Sequence, residues 1–177
     1  MIVGLILAGG RSSRMGVDKS ALAIDGDTML GRTAKALRAA GADRVAISGT
    51  REGGIPDRWP GMGPIGGIAS AALGLPDGEW LVVPVDMPRL GNAVLAPLLA
   101  ERSLGATCWE RHPLPMRLTM NAATRDALAD LVTRPGRECS VSALQARLGA
   151  TTLAPDGVDA RLLINCNTPD DWREANA

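Results

Sequence analysis

The chain has 177 residues, the size of one ordinary domain, and its 19 lysines and arginines balance its 19 aspartates and glutamates. A chain without net charge does not favour nucleic acid or an anionic membrane as a partner, so any site for an anion must be local. With no Phe, no Tyr and four Trp, the sequence also offers few rings for stacking on single-stranded nucleic acid.

The three cysteines, Cys108, Cys139 and Cys166, are far apart in the sequence. Their spacing fits neither a disulfide framework nor a zinc site, which predicts reduced, mostly structural thiols. No apolar run reaches the roughly 18 residues of a transmembrane helix. The apolar start lacks the basic region and cleavage site of a signal peptide. We therefore expect a soluble, cytoplasmic protein.

The first half of the chain predicts alternating strands and helices. Residues 2–8 are a continuous apolar run, which is typical of a strand buried on both faces of a parallel sheet. After a charged loop, Thr28 is placed to cap a helix that ends at Gly41. Residues 43–49 form the next predicted strand. A helix is expected in the segment 65–74, after a loop rich in glycine and proline.

The second half continues this alternation. The run WLVVPV at 80–85 predicts a strand, in which Pro84 is tolerable only near the end because proline cannot donate to a sheet ladder. A helix is predicted over 92–102 and a strand over 105–109. The prolines of 111–120 favour a hairpin at the edge of the sheet.

The last segments follow the same pattern. Asn121 is placed to cap a helix, and residues 139–148 predict another. The run LLIN at 162–165 predicts a last short strand. Thr168 to Asp171 combines a cap residue, a proline and acids, which is typical of a helix start.

Strands that alternate with helices predict a three-layer α/β sandwich with a mostly parallel, Rossmann-like sheet. We expect one domain over 1–177. In such a sheet the loops after residues 8, 85 and 165 lie at one edge, which is where ligands bind.

The segment GGRSSRMGVDK at 9–19 carries more positive charge than a turn requires. Arg11, Arg14 and Lys19 accompany glycines whose backbone N–H groups a ligand can approach, an arrangement that suits a phosphate. The segment is not a Walker loop, because Lys19 does not directly follow a glycine. Taken alone, the segment is explained as well by a charged surface turn as by a phosphate site.

The glycines of GMGPIG at 61–66 match the spacing of a dinucleotide-binding loop. That loop requires a strand directly before its first glycine. Here the preceding residues are IPDRWP, with two prolines. We therefore do not interpret the segment as a nicotinamide or flavin site.

Four further polar positions are candidates for chemistry. Asp86 follows an apolar run at the expected ligand edge, where a carboxylate facing a phosphate loop suits Mg²⁺, although a lone aspartate there often only caps a turn. Asn165 and Asn167 are two residues apart, so in an extended segment their side chains point to the same side. Alternatively, both stabilise the entry to the helix that follows. His112 is the only histidine, and its role stays open.

Taken together, four segments resemble the molybdenum-cofactor guanylyltransferase family: in order, LAGGRSSRMGVDK (7–19), DRWPGMGPIGG (57–67), VDMP (85–88) and NCNTPDD (165–171). The resemblance spans nearly the whole chain, and its first segment is the most specific. It implies a sheet of the nucleotide-diphospho-sugar transferase type and a single nucleotidyltransferase domain. The segments 111–121 and 136–139 resemble the family's weaker motifs for the pterin side.

The resemblance also implies roles for individual residues. Those that would contact the nucleotide, the first four at its base and ribose, are Leu7, Ala8, Gly9, Gly10, Arg14, Lys19, Asp57, Gly63, Pro64 and Asp86. Arg14 and Lys19 would bind the triphosphate, and Asp86 would hold Mg²⁺; these three would carry catalysis. Asn165 and Asn167 would complete the pocket near the metal and the pterin.

The implied reaction joins the GMP part of GTP to the phosphate of molybdopterin and releases pyrophosphate. Its substrates are GTP and molybdopterin (the molybdenum cofactor). Proteins of the same cofactor pathway are possible partners, whereas nucleic acid and membranes are not expected. Two alternatives stay open. One is a relative that uses CTP or another phosphorylated acceptor, and the other is a module that binds nucleotide or cofactor without chemistry.

Overall fold

The structure is a computed structural model that describes residues 1–9, 23–24, 27–166 and 171. Its strands are β1 (Ile2–Leu7), β2 (Ala23–Ile24), β3 (Asp27–Thr28), β4 (Arg44–Ser48), β5 (Gly78–Pro84), β6 (Ala106–Trp109), β7 (His112–Met120) and β8 (Thr151–Leu153). Its α-helices are α1 (Met29–Ala39), α2 (Gly63–Ala72), α3 (Asn92–Ala100), α4 (Ala122–Leu131) and α5 (Val141–Arg147), with 3₁₀ turns at Gly136–Glu138 and Ala160–Leu163.

Within the described residues, six strands form one sheet in the order β4-β1-β5-β7-β6-β8, and β2 pairs with β3 as a short separate ribbon. β1 is parallel to β4 and β5, and β8 is parallel to β6. β7 runs against both of its neighbours, β5 and β6. The carboxyl ends of β1, β4, β5, β6 and β8 therefore lie at one edge, called the carboxyl edge below. The predicted mostly parallel sheet is confirmed.

The helices cover both faces of the sheet, because its strands are apolar on both sides. One face packs α2, α4 and α5 against alternate strand residues such as Leu5 and Val82. The other face packs α1 and α3 against Ile6 and Val83. These two apolar clusters give the predicted three-layer sandwich.

Most predicted caps and boundaries are confirmed. Thr28 caps α1 by accepting from the Gly31 amide at 3.0 Å, and Asn121 caps α4 by accepting from Thr124 at 3.0 Å. Pro84 is the last residue of β5, where it disturbs no central ladder position.

Two predictions about strands are wrong. Residues 111–120 were expected at the sheet edge, but β7 lies between β5 and β6. Its prolines are accommodated because the register with β6 shifts beside Cys108 and Trp109, which leaves 113–115 outside the regular ladder.

The predicted strand at 162–165 is also absent. Residues 160–163 form a 3₁₀ turn, and the sheet position beside β6 is taken by β8, which the sequence pattern did not reveal. Leu163 packs instead into a small apolar cluster with Met87 and Trp109. In the described part of the chain, no helix is long and apolar enough to cross a membrane.

Candidate functional site

The carboxyl edge joins the ends of the three parallel strands β4, β1 and β5. The Ala8 amide donates to the Ser48 carbonyl at 3.0 Å, and the Val85 amide donates to the Leu7 carbonyl at 3.2 Å. Leu7 buries its side chain in the core, so a ligand at this edge would meet its backbone. Ala8 is half-buried and Gly9 is exposed, which leaves both accessible to a ligand.

Asp57 lies in the loop between β4 and α2 and is fixed by its own hydrogen bonds. Its Oδ1 accepts from the Trp59 amide at 2.9 Å, an Asx-type turn, and from the Ser70 hydroxyl at 3.3 Å. No hydrogen bond from the described residues reaches its second oxygen, Oδ2. One side of the carboxylate therefore anchors the loop and the other is available to a ligand.

Helix α2 begins at the turn that contains Gly63 and Pro64, both exposed. No strand precedes this turn in the segment 49–62, which the structure describes throughout, although a dinucleotide-binding loop requires one directly before its first glycine. The helix lies very close to the strand ends. A Cβ at Gly67 would come within 2.5 Å of Ser48 Oγ and 3.3 Å of a Leu7 methyl.

Asp86 follows β5 at the carboxyl edge, as predicted. The residue is half-buried, and its Oδ1 atom is shielded from solvent. A carboxylate in such a position is stable when cations or donors face it. Its neighbour Met87 is buried in the small apolar cluster with Leu163, which fixes the loop that carries the carboxylate.

The segment after the 160–163 turn returns to this loop. The Cys166 amide donates to the Asp86 carbonyl at 2.7 Å. Asn165, the preceding residue, is exposed. The segment that carries Asn165 therefore reaches the Asp86 loop, although the residues leading to it form a 3₁₀ turn and not the predicted strand.

The hairpin between β6 and β7 brings His112 to the same edge. Trp109 pairs with His112 across the tip, where Arg111 adopts a φ of 62°. The hairpin is held from both sides, because Trp109 Nε1 donates to the Val94 carbonyl at 3.2 Å and Gln145 Nε2 donates to the Pro113 carbonyl at 2.8 Å. Among the residues that the structure describes, none forms a hydrogen bond or an ion pair with the His112 side chain that would make it a base.

The 136–139 segment reaches the start of α2. Cys139 Sγ lies 3.8 Å from the Met62 carbonyl, just before Gly63. Burial raises the pKa of the Cys139 thiol, and likewise that of Cys108, so both stay protonated at neutral pH. All three cysteines are among the described residues, and none forms a disulfide.

Gly10, Arg14, Lys19 and Asn167 lie outside the described residues, as does most of the helix expected after Thr168. The described residues hold no group of three or more His, Cys, Asp or Glu arranged for a metal ion. This does not conflict with Mg²⁺, which proteins commonly bind through one or two carboxylates together with substrate phosphates and water.

Two cavities in the described part of the chain lie away from the carboxyl edge. One, of about 310 Å³, lies between β6, β8 and α5. The other, of about 430 Å³, lies at the opposite edge beside Glu79 and Arg117. The second cavity is lined by Arg117 and Thr119 of the 111–121 segment, which resembles a pterin-side motif. Neither cavity is lined by one of the residues that were assigned individually to the nucleotide or the pterin.

Residues 4–150 match the family described as the MobA-like NTP transferase domain. The chain belongs to this family. A molybdenum cofactor guanylyltransferase from Xanthomonas euvesicatoria pv. vesicatoria (strain 85-10) is 41% identical over 172 residues, which cover 96% of the chain and 91% of that protein.

Solved structures of the same fold are similar over almost the full length. The molybdopterin-guanine dinucleotide biosynthesis protein A from Archaeoglobus fulgidus matches with a TM-score of 0.74 and 21% identity, covering 99% of the chain and 97% of that protein. A Mycobacterium tuberculosis protein in complex with manganese matches with a TM-score of 0.67 and 21% identity, covering 98% and 97%. The chain therefore shares the fold of these proteins.

Proposed function

We propose that the chain transfers the GMP part of GTP to the phosphate of molybdopterin, forms the guanine dinucleotide cofactor and releases pyrophosphate. The observation that carries the proposal is the position of Asp86 at the carboxyl edge: Val85, the preceding residue, bonds the end of β1, and the Asp86 carbonyl accepts from Cys166, next to Asn165. Membership of the MobA-like family and the guanylyltransferase with 41% identity support the same reaction. The proposal treats 1–177 as one nucleotidyltransferase domain in the cytoplasm.

The chemistry needs little acid–base help from the protein. A phosphate monoester has a second pKa near 6 and is largely ionised at neutral pH, so the attacking oxygen needs no strong base. The barrier comes from bringing two polyanions together in line and from the charge on the departing pyrophosphate. Arg14 and Lys19 would offset this charge, which explains a cluster of cations in a chain of zero net charge.

Asp86 would hold a divalent cation, which we propose to be Mg²⁺. The donor chemistry fits, because the Asp86 carboxylate and a side-chain amide oxygen from Asn165, on the segment that bonds the Asp86 carbonyl, are hard ligands. The Mycobacterium tuberculosis relative in complex with manganese supports a divalent cation in this fold. When bound, the ion would neutralise charge on the phosphates that meet at this edge.

The remaining residues would bind and orient the nucleotide. Backbone groups of 7–10 would lie against the base and ribose, and the free side of Asp57 would contact the nucleotide beside the turn at Gly63 and Pro64. Asn165 and Asn167 would face the pterin side. The absence of Phe and Tyr means that polar groups, backbone or a Trp must hold the flat pterin.

Titration calorimetry with GTP, CTP and ATP, each with and without Mg²⁺, tests the proposal. Selective, Mg²⁺-enhanced binding of GTP supports guanylyl transfer, and pyrophosphate release upon addition of molybdopterin establishes it. A preference for CTP would replace it by cytidylyl transfer. Binding of GTP without any pyrophosphate release in the presence of molybdopterin would indicate a module without chemistry.

A further inference from the structure

Ser70 lies in the third turn of α2 and is 3% exposed, yet its hydroxyl takes part in three hydrogen bonds, two of them to the Asp57 loop. Its Oγ accepts from the Arg58 amide at 2.9 Å. Its single proton is shared between the Gly66 carbonyl at 2.7 Å and Asp57 Oδ1 at 3.3 Å. One buried hydroxyl thus links the helix to two consecutive residues of the loop.

The loop is also pressed against the helix at Gly66. A Cβ at Gly66 would come within 2.7 Å of the Trp59 carbonyl and 3.0 Å of Asp57 Oδ1. The loop therefore lies where a side chain would have separated it from α2. Because Trp59 also donates its amide to Asp57 Oδ1, the orientation of the carboxylate depends on how residues 58 and 59 are held.

We propose that Ser70 is a positioning residue for Asp57: it holds the Asp57–Trp59 turn on α2 so that Asp57 presents Oδ2 toward the nucleotide. The nucleotide part rests on the proposed function, whereas the anchoring part does not. A serine in mid-helix usually bonds only the carbonyl four residues before it. The additional acceptance from Arg58 and the contact to Asp57 are what distinguish Ser70 from that ordinary case.

The chain offers a matched control on another helix. Thr33 in α1 is 2% exposed, and its hydroxyl donates to the Met29 carbonyl at 2.8 Å, the same bond to the fourth preceding residue. Its hydroxyl bonds no loop residue in the described chain. Ser70→Ala removes a hydroxyl, and Thr33→Val replaces one with a methyl group. Both variants lose the bond to the fourth preceding carbonyl, but only Ser70→Ala also loses contacts to the loop.

The first measurement is hydrogen exchange of backbone amides in the free protein. Ser70→Ala should accelerate exchange at Arg58 and Trp59 by about threefold to tenfold, since each net hydrogen bond contributes a factor of this order. Thr33→Val should leave both amides unchanged. Unchanged exchange at these two amides in Ser70→Ala would overturn the anchoring role, whatever nucleotide the protein binds.

The second measurement is the dissociation constant of GTP with Mg²⁺ in a double-mutant cycle. Ser70→Ala should weaken GTP by about threefold to tenfold in the native background but change it little once Asp57→Ala is present. An equal loss in both backgrounds would show that Ser70 does not act through Asp57. A native protein that does not bind GTP would refute the proposed function and the nucleotide part together, while the exchange result would still decide the anchoring.

Discussion

The backbone amide of Cys166 bonds the backbone carbonyl of Asp86 at 2.7 Å, although the two residues are far apart in the sequence. The contact is maintained by Leu163, which is buried with Met87, Val94, Leu98 and Trp109. The segment that carries Asn165 is therefore docked by apolar packing, and the Cys166 amide bonds it to the Asp86 carbonyl.

Leu163→Ala should release this segment. Removing a buried leucine side chain costs about 2–5 kcal/mol of stability. If only the lower value of about 2 kcal/mol is lost locally, the Cys166 amide should exchange roughly 30-fold faster. Hydrogen exchange of that amide measures the effect. Leu104→Ala, at a leucine that is 91% exposed, is the control and should change nothing. Equal protection of Cys166 in both variants would refute the docking argument.

Asp86→Asn should leave the fold intact but reduce Mg²⁺-dependent turnover by about 100-fold, the effect of losing one key charge-stabilising group. The substitution keeps the size of the side chain and removes its charge. Pyrophosphate release across a Mg²⁺ titration measures the loss. Asp156→Asn, at an exposed aspartate, is the control. Near-normal rates for Asp86→Asn would eliminate the proposed metal role.

Lys19→Ala should weaken the interaction with the triphosphate. A charge-assisted contact contributes about 1.5–3 kcal/mol, so GTP should bind roughly 10- to 100-fold more weakly, and GMP should be affected much less. Calorimetry with both nucleotides makes the comparison. Lys35→Ala removes an exposed lysine that pairs with Asp27 and should preserve GTP affinity. If GTP and GMP lost affinity equally, Lys19 would not be a triphosphate ligand.

Glu79→Gln should lower the free energy of unfolding more than the removal of a charge from an exposed side chain does. Glu79 lies 2.5 Å from Arg117, whose guanidinium is buried and also bonds Ser103, Thr107 and Thr119. A buried charge that loses its partner costs about 3–5 kcal/mol, and the lower end applies because the Glu79 side chain is 34% exposed.

Chemical denaturation of Glu79→Gln is best compared with Asp77→Asn. Asp77 forms an ion pair with Arg125 but is 59% exposed, so its loss should cost at most about 1 kcal/mol. Similar small changes in the two variants would indicate that the Arg117 network does not depend on the Glu79 charge.

Asp159 should titrate unusually low. The hydrogen bonds from Arg161 lower its pKa from 3.8 to about 2. Because the folded pKa is below the unfolded one, its contribution to stability is complete above about pH 4. That contribution is lost as the pH falls toward 2. Carboxyl-carbon NMR of Asp159 should show a midpoint near pH 2, and Arg161→Met should move it toward 3.8. A midpoint near 3.8 in the native protein would contradict the ion pair.

The regular elements were predictable because their signals are local. Apolar runs revealed β1, β4 and β5, and cap residues such as Thr28 and Asn121 located helix starts within a residue. The strand β8 was not predicted because it has only three residues, Thr151 to Leu153, none of them fully buried, which is too short for a distinctive apolar pattern. The segment 162–165 was misread because a short apolar run has the same pattern in a strand and in a packed 3₁₀ turn.

The candidate site shows the same division. Asp86 was predictable because a carboxylate after a buried strand is unusual, and the strand direction then determines its edge. Ser70 and Arg117 were not, since their importance comes from partners 12 to 38 residues away in sequence that only the fold brings close. A small polar residue in a helix, or an arginine in a strand, carries no signal of such partners by itself.

The close approach at Gly67 has a consequence for protein engineering. The space between α2 and the ends of β1 and β4 does not accommodate one methyl group without displacing Ser48. Directed evolution toward a different nucleotide should therefore keep Gly67 constant, because most side chains at this position would push α2 away from the ends of β1 and β4. Productive diversity is expected at exposed loop positions such as Thr50 and Glu52, which can be varied without disturbing this packing.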